Sequence, residues 1–148
     1  MSLLKNYYPN ILVVLQFGII GIMILFGRHF FATPYPLALF ALGATLGVWA
    51  LRHNQLGNFN IQPKLKENSK LVTTGIYGYI RHPMYSSVIL MMSALVLANP
   101  TIMEILLFLM LILVLWLKAK REERLWSGHD KEYIEYQKRS KFFIPLII

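Results

Sequence analysis

Residues 11–27 run for 17 positions without a charge, and three more apolar stretches follow: 37–51 with 15 residues, 84–98 with 15, and 105–117 with 13, or 17 counted from Thr101. A bilayer core is crossed by roughly 17–25 helical residues. The second and third stretches are short by that measure, and Tyr35, Trp49 and Tyr85 at their edges extend them to the headgroups. Hydrophobic residues make up 56% of the 148 and mean hydropathy is +0.50. A soluble chain of this length buries only part of its surface, so this much apolar area needs lipid around it.

The basic residues settle which connectors share a side. Lys5 precedes the first stretch, residues 52–83 hold Arg52, Lys64, Lys66, Lys70 and Arg81, and residues from 118 onward hold eight more. Together these segments carry 14 of the 15 basic residues, and Arg28 alone lies in a short turn. Four spans put all three segments on one face, so the positive-inside rule places both termini in the cytoplasm. Three or five spans would split them. The expected fold is therefore an all-α integral membrane bundle forming one domain over 1–148. Its four transmembrane helices lie near 11–27, 34–51, 83–98 and 101–117, with a cytoplasmic connector at 52–82 and a helical cytoplasmic tail at 118–148. No small-residue cleavage site follows the first stretch at Gly27-Arg28-His29, which reads as a retained span.

With no cysteine, disulfides and thiolate metal sites are excluded. His129-Asp130 lacks the HxxxH or HExxH spacing of a metal site, so no metal is expected. The net charge of +8 is laid out for a membrane, and no nucleic-acid partner is expected.

Chemistry concentrates in the connector, at 32 residues counted through Pro83 far longer than an ordinary helix–helix link. It ends in "GIYGYIRHPMYSS". Pro83 suits the first position of a helix, where its missing N–H costs nothing, and it turns His82 out of the α region into the cap. A helix start flanked by Arg81 and His82 is suited to an anion. The same residues also read as a basic anchor with tyrosines in the aromatic belt. Asn99-Pro100 signals a tight turn, making the third and fourth stretches a hairpin. The fourth helix is expected to continue through Lys118 to Trp126 and stop near Gly128. Lys118, Arg121, Glu122, Glu123 and Leu125 then lie beside the His82 cap, although a solvated charged helix end explains the same acids. Tyr133 and Tyr136 read as packing residues of a surface helix, and the apolar end "FFIPLII" as a segment dipping into the interface or packing on the bundle.

"LVTTGIYGYIRHPMYSS" resembles the motif of the isoprenylcysteine carboxyl methyltransferase and phospholipid methyltransferase superfamily, roughly G-x-Y-x-x-x-R-H-P-x-Y. Gly75, Tyr77, Arg81, His82, Pro83 and Tyr85 match its fixed positions. "LGNFNIQ" upstream and Glu122-Glu123, Leu125 and "EYIEYQKR" downstream are similar too, so the resemblance covers about residues 49 to 143. Two departures are "SGHDKEY" in place of Phe-Gly before the tyrosines, and an acidic pair one residue nearer the Leu. The second leaves either Glu122 or Glu123 as the equivalent acid.

The resemblance implies a membrane-embedded methyltransferase using S-adenosyl-L-methionine and releasing S-adenosyl-L-homocysteine. The cofactor contacts it implies are Gln62, Ser69, Lys70, Leu71, Val72, Tyr77, Arg81, His82, Pro83, Met84, Tyr85, Glu122 and Glu123. Its acceptor would be lipophilic or lipidated and enter from the bilayer, with a carboxylate expected ahead of a phospholipid amine. A carboxylate acceptor needs a cation to hold it, and Lys118 or Arg121 at the membrane rim is the candidate. The implied location is a prokaryotic cytoplasmic membrane, with the site facing the cytoplasm. Two other classes fit parts of the pattern. A sterol-reductase-like enzyme binding NADPH would use Lys64, Lys66 and Lys70 for the extra phosphate. A small non-enzymatic membrane protein, if a proton-coupled transporter, would depend on Glu104.

Overall fold

The computed structural model describes residues 2–54 and 70–143, with side chains for 7–54 and 70–143. Regular structure among these residues is helical: α1 (Ser2–Phe26), α2 (Pro34–Asn54), a 3-10 turn (Gly75–Gly78), α3 (Pro83–Ala98), α4 (Ile102–His129) and α5 (Lys131–Arg139). The first helix starts well before the expected position 11. It runs through the polar lead-in and takes in Pro9, which is buried.

Along α1 the buried residues are Pro9, Leu12, Gln16, Ile19 and Met23, a single stripe at helical spacing. The rest of that helix is apolar and turned away from the protein, with Val14 71% and Leu25 82% exposed. A helix with apolar residues all round, only one stripe of which is covered by protein, is built for lipid. The stripe meets Met92 and Leu95 of α3 and Leu111, Val114 and Leu115 of α4 to form the core. On the other side of α3, small residues bring α2 close. Ser87 Oγ donates to Gly43 O at 2.7 Å, and a Cβ on Gly47 would lie 2.5 Å from Ser87 Oγ. Close approach through small residues is the packing available to helices that gain nothing from burial against lipid.

Among the described residues three helices are long and apolar enough to cross a membrane: Tyr7–Phe26, Pro34–Asn54 and Ile102–His129. The fourth apolar helix, α3, has 16 residues, about 24 Å at 1.5 Å per residue. It starts with Pro83 at N1 behind His82, whose φ of −122° and ψ of 56° lie outside the helical region. Asn99 and Pro100 turn the chain into α4, where Thr101 Oγ1 caps the helix by accepting from Glu104 N at 3.2 Å.

The fourth helix stops close to the expected position, and only the role given to Gly128 is corrected. Gly128 lies inside α4, which runs to His129. Asp130 ends α4 and caps α5, its carboxylate accepting from Glu132 N at 2.9 Å. An aspartate that can cap the next helix sets the break better than a glycine with no left-handed turn to make.

Candidate functional site

At the connector end of the bundle, Ala50, Ile76, Tyr77 and Ile80 form a second buried cluster, with Val72 and Met84 against it. The 3-10 turn hangs from this cluster, and α3 begins immediately after it. Beyond α5 the chain folds back, so that Ile80 and Lys141 form a short parallel bridge. Arg81 N donates to Lys141 O at 2.8 Å, His82 N to Phe142 O at 3.2 Å, and Ser86 Oγ to Phe143 O at 2.6 Å. A distant strap of chain thus takes the backbone N–H groups of Arg81 and His82. The strap includes the first part of the apolar end. Phe142 is buried and Phe143 half-buried, their rings 5.0 Å and 6.1 Å from that of His82.

The two acids divide. Glu123 is buried, and Arg81 Nε donates to its Oε1 at 2.6 Å. The rest of that guanidinium faces the strap, donating to Gln137 O at 3.1 Å and to Ser140 O. Glu122 is more open, its side chain 23% exposed against 8% for Glu123. It accepts from Tyr85 Oη at 2.5 Å and lies 3.5 Å from His82 Nδ1. His82 Nε2 is 3.6 Å from Glu123 Oε1, an ion-pair distance beyond hydrogen-bond reach, so this buried nitrogen has no hydrogen-bond partner among the described residues.

Burial opposes charge on His82, but Glu122 and Glu123 outweigh it and hold the imidazole above its usual 6.5. Burial likewise opposes charge on Glu123, and His82 and Arg81 overcome it, bringing its carboxyl down to about 2 from 4.5. Tyr77 and Tyr133 are pushed well up, chiefly by burial, and Tyr136 to about 12, also chiefly by burial. All three remain neutral phenols, and Tyr136 Oη donates to Tyr77 O at 2.5 Å.

A pH dependence follows. Glu123, lowered on folding, contributes stability that is full above pH 4.5 and is lost as pH falls toward about 2. A displacement of that size is worth about 3 kcal/mol. His82, raised on folding, contributes stability that is full below pH 6.5 and is lost as pH rises through its elevated value. Melting in detergent between pH 2 and 9 is expected to show both limbs, and Glu123→Gln to remove most of the acid one. An acid limb unchanged in that variant would contradict the assignment.

The other candidates fall as follows. Pro83 and Met84 open α3 beside His82. Leu71 and Val72 are half-buried, and Lys70 is exposed. Gln62 and Ser69, with Lys64 and Lys66, lie outside the described residues. Tyr85, read also as a belt residue, donates its hydroxyl to Glu122. Lys118 is buried, and Nζ donates to Gln16 Oε1 at 2.5 Å. Arg121 lies over the Tyr8 ring, 5.6 Å from its centroid. Glu104 is buried in the first turn of α4, with neither carboxylate oxygen hydrogen-bonded among the described residues. No group of metal-ligating residues occurs among the described residues.

Sequence reasoning missed Gln16, the strap contacts and His53. His53 reads as one more interfacial residue, yet its Nε2 lies 3.2 Å from Thr74 Oγ1 and its ring covers Gly75.

No curated protein matches the chain. The sequence model of a phospholipid methyltransferase family matches residues 31–129, about two thirds of it. That segment contains α2, the motif from Gly75 to Tyr85, the α3–α4 hairpin and both acids, while α1 and the strap lie outside it. The chain belongs to the phospholipid methyltransferase family.

Proposed function

We propose that this protein transfers a methyl group from S-adenosylmethionine to a lipophilic acceptor partitioned in the membrane. The observation that carries the reading is the set Tyr85, His82 and Glu122, gathered where α3 and α4 meet the connector. Arg81 is committed to Glu123 and the strap, so Glu122 is the acid presented to a ligand. The donor chemistry fits these residues, since it carries a sulfonium and an ammonium that suit one accessible carboxylate beside tyrosine faces. Glu122, Tyr85, Tyr77 and His82 would hold it. When bound, it supplies an electrophilic methyl: the acceptor's lone pair forms the new bond to carbon while the sulfur–carbon bond breaks, its electron pair staying on sulfur as a neutral thioether. The protein's own part is alignment and exclusion of water, which bring most of the rate in a direct displacement.

The same reading sets all four apolar helices across the bilayer with both termini inside. It draws its support from the 14 of 15 basic residues that such a topology gathers on one face. The connector and strap then meet the cytoplasm, from which the donor arrives, while the acceptor arrives from the bilayer.

Isothermal titration of the purified protein in detergent tests the proposal. Wild type is expected to bind S-adenosylmethionine, and Glu122→Gln to weaken binding about tenfold or more, the weight of one charge-assisted hydrogen bond. His82→Ala is expected to weaken it as well. No binding by wild type, or binding untouched by both substitutions, would overturn the reading.

A further inference from the structure

The outward face of α4 changes character along one line. Leu106, Leu109, Leu113 and Trp116 are all exposed, and their helical spacing puts them on one stripe turned away from the protein. The next steps of the same stripe are Lys120, Arg124 and Ser127. These three line an open cleft of about 460 Å³ between α4 and α5, together with Glu123, Gly128 and Gln137. Glu123 is already held by Arg81 at 2.6 Å, while Lys120 Nζ comes only to 3.7 Å of that acid and lies 4.9 Å from the centroid of the Phe142 ring. Arg124 is exposed, and neither its guanidinium nor the Ser127 hydroxyl has a partner among the described residues. With Arg81 neutralising Glu123, the cleft presents the charges of Lys120 and Arg124 to whatever enters it. Their depth matters too. Lys120 stands roughly 5 Å along the helix beyond Leu117, where the apolar run ends, and Arg124 roughly 10 Å beyond it. A headgroup layer is about 5–8 Å deep on each side of a bilayer. Trp116, one turn before Lys120, is the type of side chain favoured at that boundary.

We propose that this cleft binds one anionic phospholipid with an uncharged headgroup, its acyl chains along Leu106, Leu109, Leu113 and Trp116 and its phosphate between Lys120 and Arg124. A guanidinium can hold a phosphate through two parallel N–H donors, and a lysine beside it adds a point charge. Zwitterionic lipids carry the same phosphate, so the rest of the headgroup decides. A choline or ethanolamine ammonium placed here would face Lys120 and Arg124, and Glu123 cannot answer it because Arg81 and His82 already share that acid. A glycerol headgroup brings no positive charge and offers hydroxyls to Ser127 and the Gln137 amide. Such a lipid has neither amine nor carboxylate to methylate, and Tyr85, His82 and Glu122 do not line the cleft. The site therefore does not depend on the methyl-transfer reading. Its effect is mechanical. Gln137 belongs to α5 and its carbonyl accepts from Arg81, so a headgroup bridging α4 to Gln137 braces the helix from which the strap departs.

The test uses the full chain, stripped of lipid in detergent, with phosphatidylglycerol and phosphatidylcholine of matched chains as probes and inorganic phosphate as the free anion. Native mass spectrometry reads bound lipid, and melting and amide exchange over α5 read the protein. Wild type is expected to take up one phosphatidylglycerol at least tenfold more tightly than phosphatidylcholine, and to slow exchange in α5 as it does. Arg124→Gln should weaken that uptake about tenfold and leave lipid-free melting unchanged, since the guanidinium has no described partner to lose. Lys120→Gln/Arg124→Gln should remove the preference. Ser127→Trp, which fills the cleft and keeps every charge, should block uptake. Lys131→Gln, which removes a charge from α5 outside the cleft, should change uptake less than threefold. Equal binding of the two lipids, a preference surviving the double variant, or uptake surviving Ser127→Trp would overturn the assignment. A loss in Lys131→Gln as large as in Arg124→Gln would reduce the effect to diffuse surface charge, and inorganic phosphate binding as tightly as the lipid would make this a site for a free anion; either result also overturns it. None of these measurements uses the methyl donor, so failure here leaves the methyl-transfer reading standing, and failure of that reading leaves the lipid site standing.

Discussion

Arg81→Ala is expected to cost roughly 3–5 kcal/mol of stability, the usual penalty for removing one partner of a buried ion pair. The side chains of Arg81 and Glu123 are 12% and 8% exposed, and their contact at 2.6 Å is short and charge-assisted. The guanidinium also serves the carbonyls of Gln137 in α5 and Ser140 just past it, so its loss leaves Glu123 with His82 and Lys120 as ion-pair partners among the described residues and leaves those two carbonyls without this donor. Arg81→Lys should recover less than half of the loss, because an ammonium lacks the planar fork that reaches the acid and the strap together. The exposed pair Lys138–Glu135, with side chains 67% and 72% exposed, is the control. Glu135→Gln should change stability by less than about 0.5 kcal/mol. Thermal melting in detergent reads the energies, and amide exchange over 131–143 reads the strap. Melting and strap protection equal to wild type in Arg81→Ala would show that the arginine does not hold this segment. The expected result also divides the Arg-His pair of the motif: Arg81 fastens the strap, and His82 with Glu122 is left for the ligand.

What was legible in the sequence was local. Pro83 at a helix start puts His82 at the cap through the restriction proline places on its predecessor, and the unbroken run of helix formers from Lys118 carries α4 beyond its apolar part. The candidate site was legible through the motif, which named Tyr85, His82 and the acids but not their division of labour. That division depends on the strap, whose return to Ile80 joins residues some 60 positions apart, and no periodicity encodes such a contact. Gln16 was invisible for a related reason. A lone amide in a lipid-facing helix looks incidental until Lys118 is found beside it. Tyr85 was ambiguous because a tyrosine at a helix start serves a headgroup belt and a carboxylate equally well, and only the neighbouring helix decides.

Gly75→Ala carries the second large effect, and it shows why the motif opens on a glycine. Gly75 has φ of +59°, and a Cβ there would overlap the His53 ring, lying 2.6 Å from its Cδ2. The left-handed conformation alone costs an L-residue about 1–2 kcal/mol. The overlap adds to this, because neither the ring nor the turn can move without disturbing Ile76 and Tyr77 in the buried cluster. Since Tyr77 O accepts from Tyr136, displacing the turn loosens α5 as well, so donor affinity should fall together with stability. The double variant His53→Ala/Gly75→Ala separates the two causes: relief of the overlap should return part of the loss, while the left-handed penalty stays. Two further glycines calibrate the series. Among the described residues a Cβ on Gly78 meets only Thr73 O, at 3.3 Å, and one on Gly128 meets nothing within 4 Å. Gly78→Ala should therefore be mild, and Gly128→Ala, within α4, neutral or stabilising by up to about 1 kcal/mol. If Gly75→Ala melts with Gly128→Ala, the turn under His53 is not what the glycine serves, and the motif's first residue would need another explanation.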